Sequence, residues 1–362
     1  MADEAGAVYV VVEVLIAVAC CLGNALVIWA VWANSSLHQP TFCFIASLAI
    51  ADFLVGAVAI PVAVLVDGRV QMSFHGCLFI SCVEVLVVQS SVVFLLAIAV
   101  DRHLRVHIPL RYKGTITQKR TWVAVGACWL VSCVLGLTPM FGWYNHDTLA
   151  SLGNSTTIVC QFIAVIPMSY LVYFNFFGCI LLPLLVMVAL YAHLFHTIRM
   201  RLMESRARNA ESQAYYAKEK NLAKSLALVL LLFAACWLPL CLMNCMAFFG
   251  NPVNIPHAVF YVGIVLSHAN SAVNPIVYAF KVPKISKAYL QIWSRCPPHL
   301  VPQNHLGPES NTCGDATSAV QNDNEVKTMK QAFSTVWINF RASHTWNSDP
   351  HLNPHSQTSM QS

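Results

Sequence analysis

The feature that most constrains this fold is a series of seven long apolar segments. A helix of about 20 apolar residues crosses the hydrocarbon core of a bilayer. The segments cover residues 8–32, 41–66, 77–100, 121–143, 170–195, 222–249 and 257–280. In lipid, backbone polar groups must be paired within the spanning structure, which favours helices. The sequence therefore predicts an all-α membrane protein, a bundle of seven transmembrane helices with a short amphipathic helix after the last span.

The composition agrees with this class. The chain is 57% hydrophobic and 10% charged, whereas soluble domains carry about 25% charged residues. No nucleophile with a base, and no metal-ligand cluster, stands at a recognisable spacing, so we do not expect an enzyme.

Basic residues are concentrated on one side of the predicted bundle. If the N-terminus lies outside, all of the 21 Lys and Arg residues except Arg69 fall on the cytoplasmic side. Cytoplasmic loops are enriched in these residues. We therefore expect a multi-pass plasma membrane protein with an extracellular N-terminus and a cytoplasmic C-terminus. The net charge of +5 suits anionic inner-leaflet lipid and gives no indication of nucleic acid.

This topology divides the chain into four parts. They are an extracellular N-terminus (1–7), the seven-helix domain (8–281), a membrane-surface amphipathic helix (282–296) and a disordered cytoplasmic tail (297–362). On the amphipathic helix, Lys284 is expected to face the headgroups, and Ile285 and Tyr289 the lipid. Cys296 is a candidate for palmitoylation, and hydroxyl groups in the tail are available to kinases.

Two of the 14 cysteines differ from the others in their predicted location. Most cysteines fall inside the spans, where they act as small apolar residues. Cys77 and Cys160 lie on the predicted outer side, where we expect them to form a disulfide, with two unrelated free thiols as the alternative. The outer loop before span five also holds Asn154 in an Asn-Ser-Thr sequon, which predicts N-glycosylation.

Asp52 is a carboxylate far from either end of span two. Such a group costs about 2.5–3.5 kcal/mol at mid-bilayer and therefore needs a partner, a cation or a proton. One interpretation is a protonated Asp52 in a hydrogen-bond network; another is a sodium site shared with Ser91, Asn270 and Asn274. An ion-coupled transporter using Asp52 is an alternative from another functional class, but it predicts two similar halves, and we find no such repeat.

Two further features are typical of a conformational switch. Pro239 and Pro275 interrupt spans six and seven, and bends at these positions can have two packings of similar energy. Static kinks are the alternative interpretation. At the inner end of span three, Asp101 neutralises Arg102 at the membrane edge. Tyr191 and Tyr278 are suited to hold the arginine if it leaves that partner.

Together these residues resemble the rhodopsin-like (class A) G-protein-coupled receptors over residues 8–293. The residues that carry the resemblance are Asn24, Leu48, Asp52, Cys77, Asp101, Arg102, Trp129, Pro183, Tyr191, Cys236 to Pro239 and Asn274 to Tyr278. The family has Asp-Arg-Tyr where this chain has Asp101-Arg102-His103. The resemblance implies a receptor that activates a heterotrimeric G protein, with receptor kinases and arrestin as partners of the tail.

Five stretches, 97–105, 137–143, 168–176, 223–226 and 267–278, are similar to adenosine receptors. Phe162 would stack on the adenine ring and Asn244 would bond its amine and N7, while Glu13 supports His268 near the ribose. The implied purine-binding residues are Glu13, Val85, Val88, Gln89, Phe162, Asn175, Trp237, Leu240, Asn244, Ile264, Ser267 and His268. No cofactor is expected beyond the sodium ion.

Four positions refine this resemblance. Val88 replaces a Thr that the family places near the ribose. Glu84 stands where amine receptors place a ligand-binding Asp, so a cationic amine is the alternative ligand. Ile163 and Cys241 resemble type 3 adenosine receptors, which favour inhibitory (Gi/o) G proteins and so lower cyclic AMP. The stretch 168–179 is more similar to the low-affinity type 2 receptors, which are the alternative subtype.

Overall fold

The computed structural model describes residues 2–66, 69–153, 157–205, 210–250 and 256–295. The predicted glycosylation at Asn154, palmitoylation at Cys296 and tail 297–362 lie outside the described residues.

The described chain is almost entirely helical. Its α-helices are α1 (Ala2–Ala33), α2 (Pro40–Leu54), α3 (Ile60–Leu65), α4 (Phe74–His107), α5 (Pro109–Thr115), α6 (Gln118–Gly136), α7 (His146–Ser151), α8 (Phe162–Val165), α9 (Leu182–Ser205), α10 (Ala210–Phe249), α11 (His257–Lys281) and α12 (Pro283–Arg295). π-helical stretches at Val55–Ala59 and Tyr170–Leu181 join α2 to α3 and lead into α9. Short 3-10 helices occupy Ser35–Leu37 and Thr138–Phe141.

Five helical segments of the described chain are long and apolar enough to cross a membrane. They are Gly6–Ala33, Pro40–Leu65, Phe74–His107, Tyr170–Glu204 and Ala210–Phe249. The other two predicted spans correspond to α6 and α11. α6 has 19 residues and starts with a polar turn, whereas α11 buries Ser267, Asn270, Ser271 and Asn274 against other helices. These polar groups face protein, which is how lipid tolerates them.

Three predicted boundaries differ from the structure. α1 begins at Ala2, so the first helix extends back into the residues assigned to the N-terminal segment 1–7; acidic residues near the start of a helix are favourable. The fourth span ends at Gly136 instead of 143, because Pro139 and Gly142, which has φ 116°, force a 3-10 turn. α4 continues to His107, and α5 then begins at Pro109, a favourable first helical position.

The apolar face of α12 packs on the bundle, so its predicted contact with lipid is wrong. Ile285 is fully buried, and Tyr289 packs against the same core. Lys284 is half-buried, and its Nζ lies 5.5 Å from the centre of the Phe42 ring. Its contact is therefore with an aromatic ring of α2.

The opposite end of the bundle is tied together by a disulfide and a two-stranded ribbon. Cys77 at the start of α4 is bonded to Cys160, as predicted. β1 (Gln71–Met72) pairs antiparallel with β2 (Ile158–Val159) beside it. The disulfide sits in a buried cluster with Phe74 and Tyr170, and Phe162 packs against this cluster. The loop that follows α6 is thereby held over the end of α4. We call this the disulfide end and the opposite end, which contains Arg102, the basic end.

α4 and α6 approach each other most closely at Gly136. A β-carbon at this position would lie 2.4 Å from the Leu86 Cα, which is backbone and cannot rotate away. The lack of a side chain at Gly136 thus sets the distance between the two helices.

Replacing Gly136 with Ala is expected to destabilise the fold. Overpacking typically costs about 1–3 kcal/mol, so the midpoint of thermal unfolding, followed by circular dichroism in detergent, should fall. Gly126→Ala on the same helix is the control, since a β-carbon there has no neighbour within 4 Å. Equal losses in the two variants would contradict this account of helix packing.

Candidate functional site

At the disulfide end, Glu13 and His268 join α1 to α11. The Glu13 carboxylate is fully buried, and its Oε2 lies 2.8 Å from His268 Nδ1. A hydrogen bond from Nδ1–H to this carboxylate fixes the ring and leaves Nε2 for another partner. Ser267, the preceding residue, donates its hydroxyl to the Ile264 carbonyl at 2.7 Å. Its hydroxyl oxygen can therefore still accept a hydrogen bond.

A second polar contact joins α4 to the π-helical stretch before α9. Gln89 Nε2 donates to Asn175 Oδ1. Gln89 is buried, and its Oε1 has no hydrogen-bond partner among the described residues. An unpartnered buried carbonyl is costly, so a ligand donor that reached Gln89 would remove that cost.

α10 contributes an amide that is available to a ligand. Asn244 is half-buried, and its side chain forms no hydrogen bond within the described part of the chain. Leu240 lies one turn away, facing Gly263 of α11, where a β-carbon would come 3.4 Å from the Leu240 side chain. Further along α10, Trp237 lies against Phe233, with ring centroids 6.2 Å apart.

The remaining predicted ligand residues are buried or half-buried in α4, α8 and α11. Val85 is buried, and Val88, Phe162 and Ile264 are half-buried. Among the predicted purine-binding residues, side-chain hydrogen bonds join two pairs, Glu13 with His268 and Gln89 with Asn175.

Asp52 lies in a buried polar centre between α2, α4 and α11. Its Oδ1 accepts hydrogen bonds from Ser91 (3.3 Å) and Ser271 (2.8 Å), and its Oδ2 accepts one from Asn274 (2.7 Å). Asp52 is fully buried. Ser271 was missed at the sequence level, although its place three residues before Asn274, on the same helix face, was a usable signal.

Asn270 does not bond Asp52 in this arrangement. It is buried one turn before Asn274, and the carbonyl oxygens of both side chains have no hydrogen-bond partner among the described residues. Carboxylate, hydroxyl and amide oxygens together suit a hard cation. The donor set around Asp52 therefore fits the predicted sodium ion.

At the basic end, Arg102 is buried in a network of polar side chains. Its Nη2 lies 3.0 Å from Asp101 Oδ2 and also donates to Thr41. Thr41 donates to the same carboxylate, and Tyr112 of α5 donates to Asp101 Oδ1 at 2.6 Å. Burial, together with the neighbouring Asp101 charge, raises the pKa of Tyr112, which keeps the phenol a donor. Residues from α2, α4 and α5 thus hold the predicted Asp101–Arg102 pair.

Glu219 links Arg102 to α10. Its Oε2 lies 3.0 Å from Arg102 Nη1, and its Oε1 lies 3.1 Å from Arg105 Nε. Arg102 is 1% exposed and Glu219 is 6% exposed, so water screens this contact little. The sequence analysis did not identify Glu219, Thr41 or Tyr112 as members of the site.

The two tyrosines predicted to receive Arg102 do not bond it in this arrangement. Tyr191 and Tyr278 are both buried, and the Tyr278 hydroxyl has no hydrogen-bond partner among the described residues. The arginine is instead held by Asp101, Thr41 and Glu219. The structure therefore shows the state in which α10 is tied to α4.

Comparisons with known proteins assign the chain to a family. The family described as "7 transmembrane receptor (rhodopsin family)" matches residues 23–278. Adenosine receptor A3 of Ovis aries is 49% identical over 288 residues, which are 80% of this chain and 90% of the sheep protein. The chain belongs to the adenosine receptor family. Adenosine receptor A3 of Bos taurus is 48% identical over 292 residues, with 81% of this chain and 91% of the bovine protein covered.

Family membership bears on the two polar centres around Asp52 and Arg102. Members of the rhodopsin family are signalling receptors. The present chain is therefore a multi-pass membrane receptor and not an enzyme. Asp52 and Arg102 lie on helices that reach both ends of the bundle. Changes of helix packing at the disulfide end can therefore reach the ion pair at the basic end through α4, α10 and α11.

Proposed function

We propose that this receptor binds extracellular adenosine and activates an inhibitory (Gi/o) heterotrimeric G protein, which lowers cyclic AMP. The observation that carries the proposal is the identity of 47–49% to adenosine receptors A3 of three mammals, over 80–81% of the chain. The inhibitory class follows from the type 3 resemblance at Ile163 and Cys241. The same identity favours a purine over the cationic amine suggested by Glu84.

The proposed orientation places the disulfide end outside the cell. An oxidising compartment is where a disulfide such as Cys77–Cys160 persists, and Lys and Arg gather at the other end. The N-terminus is then extracellular and the C-terminus cytoplasmic. Ligand and G protein consequently act on opposite ends of the bundle.

The proposed ligand contacts use the groups that the helices leave available. The Asn244 amide can accept from the adenine amine and donate to N7 at the same time. Phe162 supplies an aromatic face, and the free nitrogen of His268 and the hydroxyl oxygen of Ser267 can bond the ribose. Because Val88 lacks a hydroxyl, a ribose contact of about 0.5–1.5 kcal/mol is absent here.

Signalling is proposed to release Arg102 from Glu219. Pro239 lies inside α10 and provides a bend about which the basic end of this helix can swing. The swing separates Glu219 from Arg102 but leaves Asp101 and Thr41 in contact with the arginine. Arg102 can then bond Tyr191, Tyr278 or the G protein.

A sodium ion is proposed to stabilise the state shown here. It would be held by the Asp52 carboxylate, the hydroxyls of Ser91 and Ser271, and the carbonyl oxygens of Asn270 and Asn274. The ion would supply positive charge that offsets the buried carboxylate. A ligand that favours the released state would then compete with sodium.

Asn244→Ala is expected to lower the affinity for an adenosine analogue by at least tenfold, since two hydrogen bonds are lost. Radioligand binding to membranes measures this. Asn221→Ala is the control, because Asn221 is an exposed asparagine near the other end of the same helix. In cells, the analogue should lower cyclic AMP, and a toxin that blocks inhibitory G proteins should prevent the fall. Unchanged binding in Asn244→Ala, or a rise in cyclic AMP, would overturn the respective part of the proposal.

Glu219→Gln is expected to raise nucleotide exchange in the absence of ligand. A hydrogen bond between charged groups contributes about 1.5–3 kcal/mol, so its loss favours the released state by roughly 10- to 100-fold. The measurement is basal exchange on a purified inhibitory G protein. Glu204→Gln removes a glutamate from the exposed pair with Arg201, where the two side chains are 50% and 59% exposed, and should leave basal exchange unchanged.

Ser271→Ala is expected to weaken the effect of sodium on agonist affinity several-fold. Wild-type affinity should fall when sodium replaces potassium at constant ionic strength, and Ser271→Ala should lose most of this difference. Ser132→Ala is the control, because Ser132 is also fully buried but bonds only its own helix, at Cys128. A wild-type receptor indifferent to sodium would refute the ion site.

A further inference from the structure

Three histidines converge at the basic end, outside the Arg102 network. His103 and His107 are four residues apart on α4, which places them on one face of the helix. His193 of α9 faces them. One ring nitrogen from each of the three histidines lies within 4.8 Å of those of the other two. We propose that His103, His107 and His193 form a site for a divalent transition-metal ion, with zinc as the best-suited ion.

The rings already stand close to a ligating arrangement. Ring centroids are 5.5 Å apart for His103 and His107, 5.0 Å for His103 and His193, and 5.5 Å for His107 and His193. Imidazole nitrogens bind zinc at about 2.0–2.1 Å. Two such ligands lie roughly 3.4 Å apart in a tetrahedral site. Small side-chain rotations shared by three residues are enough to close the remaining distance.

The nitrogen atoms are available for a metal. None of the three imidazoles forms a hydrogen bond within the described part of the chain. His103 Nδ1 is buried and has no partner there. A buried polar atom without a partner is costly and calls for an explanation. A metal ion at this position would satisfy it.

The donor chemistry selects the class of ion. Three neutral imidazoles and no carboxylate suit zinc, copper or nickel, whereas calcium and magnesium require oxygen ligands. In the neighbouring Arg102 network, the Glu219 carboxylate is paired with Arg102 and Arg105. His107 and His193 are exposed, so solvent can supply the fourth ligand and the ion has a path of entry. The site would then have three protein ligands and one water.

A bound ion would tie α9 to α4 beside the proposed switch. His103 follows Arg102 directly, and His193 lies two residues after Tyr191. The ion would fix the distance between these helices at the place where Arg102 is proposed to move. The metal site itself rests on the three histidines and is independent of the proposed ligand and G protein.

The test is cobalt and zinc binding to the purified full-length receptor in detergent. The protein is prepared without a histidine tag and with its accessible thiols alkylated, so that cysteine does not contribute. Co²⁺ is expected to give the visible absorption bands of a tetrahedral nitrogen site, and equimolar Zn²⁺ should abolish them. His193→Ala and His103→Tyr should each lose the bands or weaken binding at least tenfold. His196→Ala is the control, since His196 is an exposed histidine on the same helix outside the cluster.

A second measurement separates metal binding from misfolding. Zn²⁺ should raise the midpoint of thermal unfolding in the wild type and in His196→Ala, but not in His193→Ala or His107→Ala. Because His107 is exposed, its replacement tests the site with little risk to the fold. Equal cobalt spectra and equal zinc shifts in all variants, or their absence from the wild type, would overturn the proposal.

Discussion

The interaction on which the basic end depends is the burial of the Arg102 guanidinium. An arginine that is 1% exposed is tolerated in an apolar bundle only when its charge and its donors are paired. Asp101 supplies the charge, Thr41 an acceptor, and Glu219 a second carboxylate from α10. Each partner comes from a different part of the chain. The Arg102 guanidinium therefore fixes the positions of α2, α4 and α10 at this end, because each of these helices supplies one of its partners.

The Asp52 centre applies the same constraint in the middle of the bundle. Its carboxylate accepts three hydrogen bonds from α4 and α11, while the amide oxygens of Asn270 and Asn274 are left without partners. Such a centre can be completed by a cation or by a rearrangement of the helices. The centre lies between the disulfide end and Arg102 and joins α2, α4 and α11, so such a rearrangement would involve helices that connect the two ends.

Sequence reasoning identified groups that are conspicuous in an apolar setting. A lone carboxylate such as Asp52 stands out because lipid penalises it, and Cys77 and Cys160 stand out once the spans are placed. Ser271 did not stand out, because a serine in a membrane helix commonly bonds its own backbone. Glu219 lies in a segment with charges of both signs, from Glu211 to Lys224, where a single glutamate does not stand out. The role of Glu219 depends on the position of α10 relative to α4, and the local sequence pattern does not specify that position.

The same limit explains the misassigned faces of α12 and the overlooked histidines. An amphipathic pattern gives the apolar face but not its partner, so Ile285 was assigned to lipid when the bundle in fact covers it. His103 and His107 have the spacing of a ligand pair, yet the pair becomes a three-ligand cluster only when α9 brings His193 to it. The lack of a nucleophile with a base in the sequence agrees with a receptor that is not an enzyme, whereas the grouping of the three histidines depends on the fold and was not foreseen.

α4 connects the two ends of this bundle. It carries Cys77 at one end, Ser91 in the middle and Arg102 near the other end, and it packs against α2, α6 and α9. α10, in contrast, contains Pro239 and contacts the arginine through Glu219. If α10 rotates as proposed, the Arg102–Glu219 ion pair breaks and the pair with Asp101 stays intact. A guanidinium that keeps Asp101 as its partner avoids most of the cost of an unpaired charge in the apolar interior.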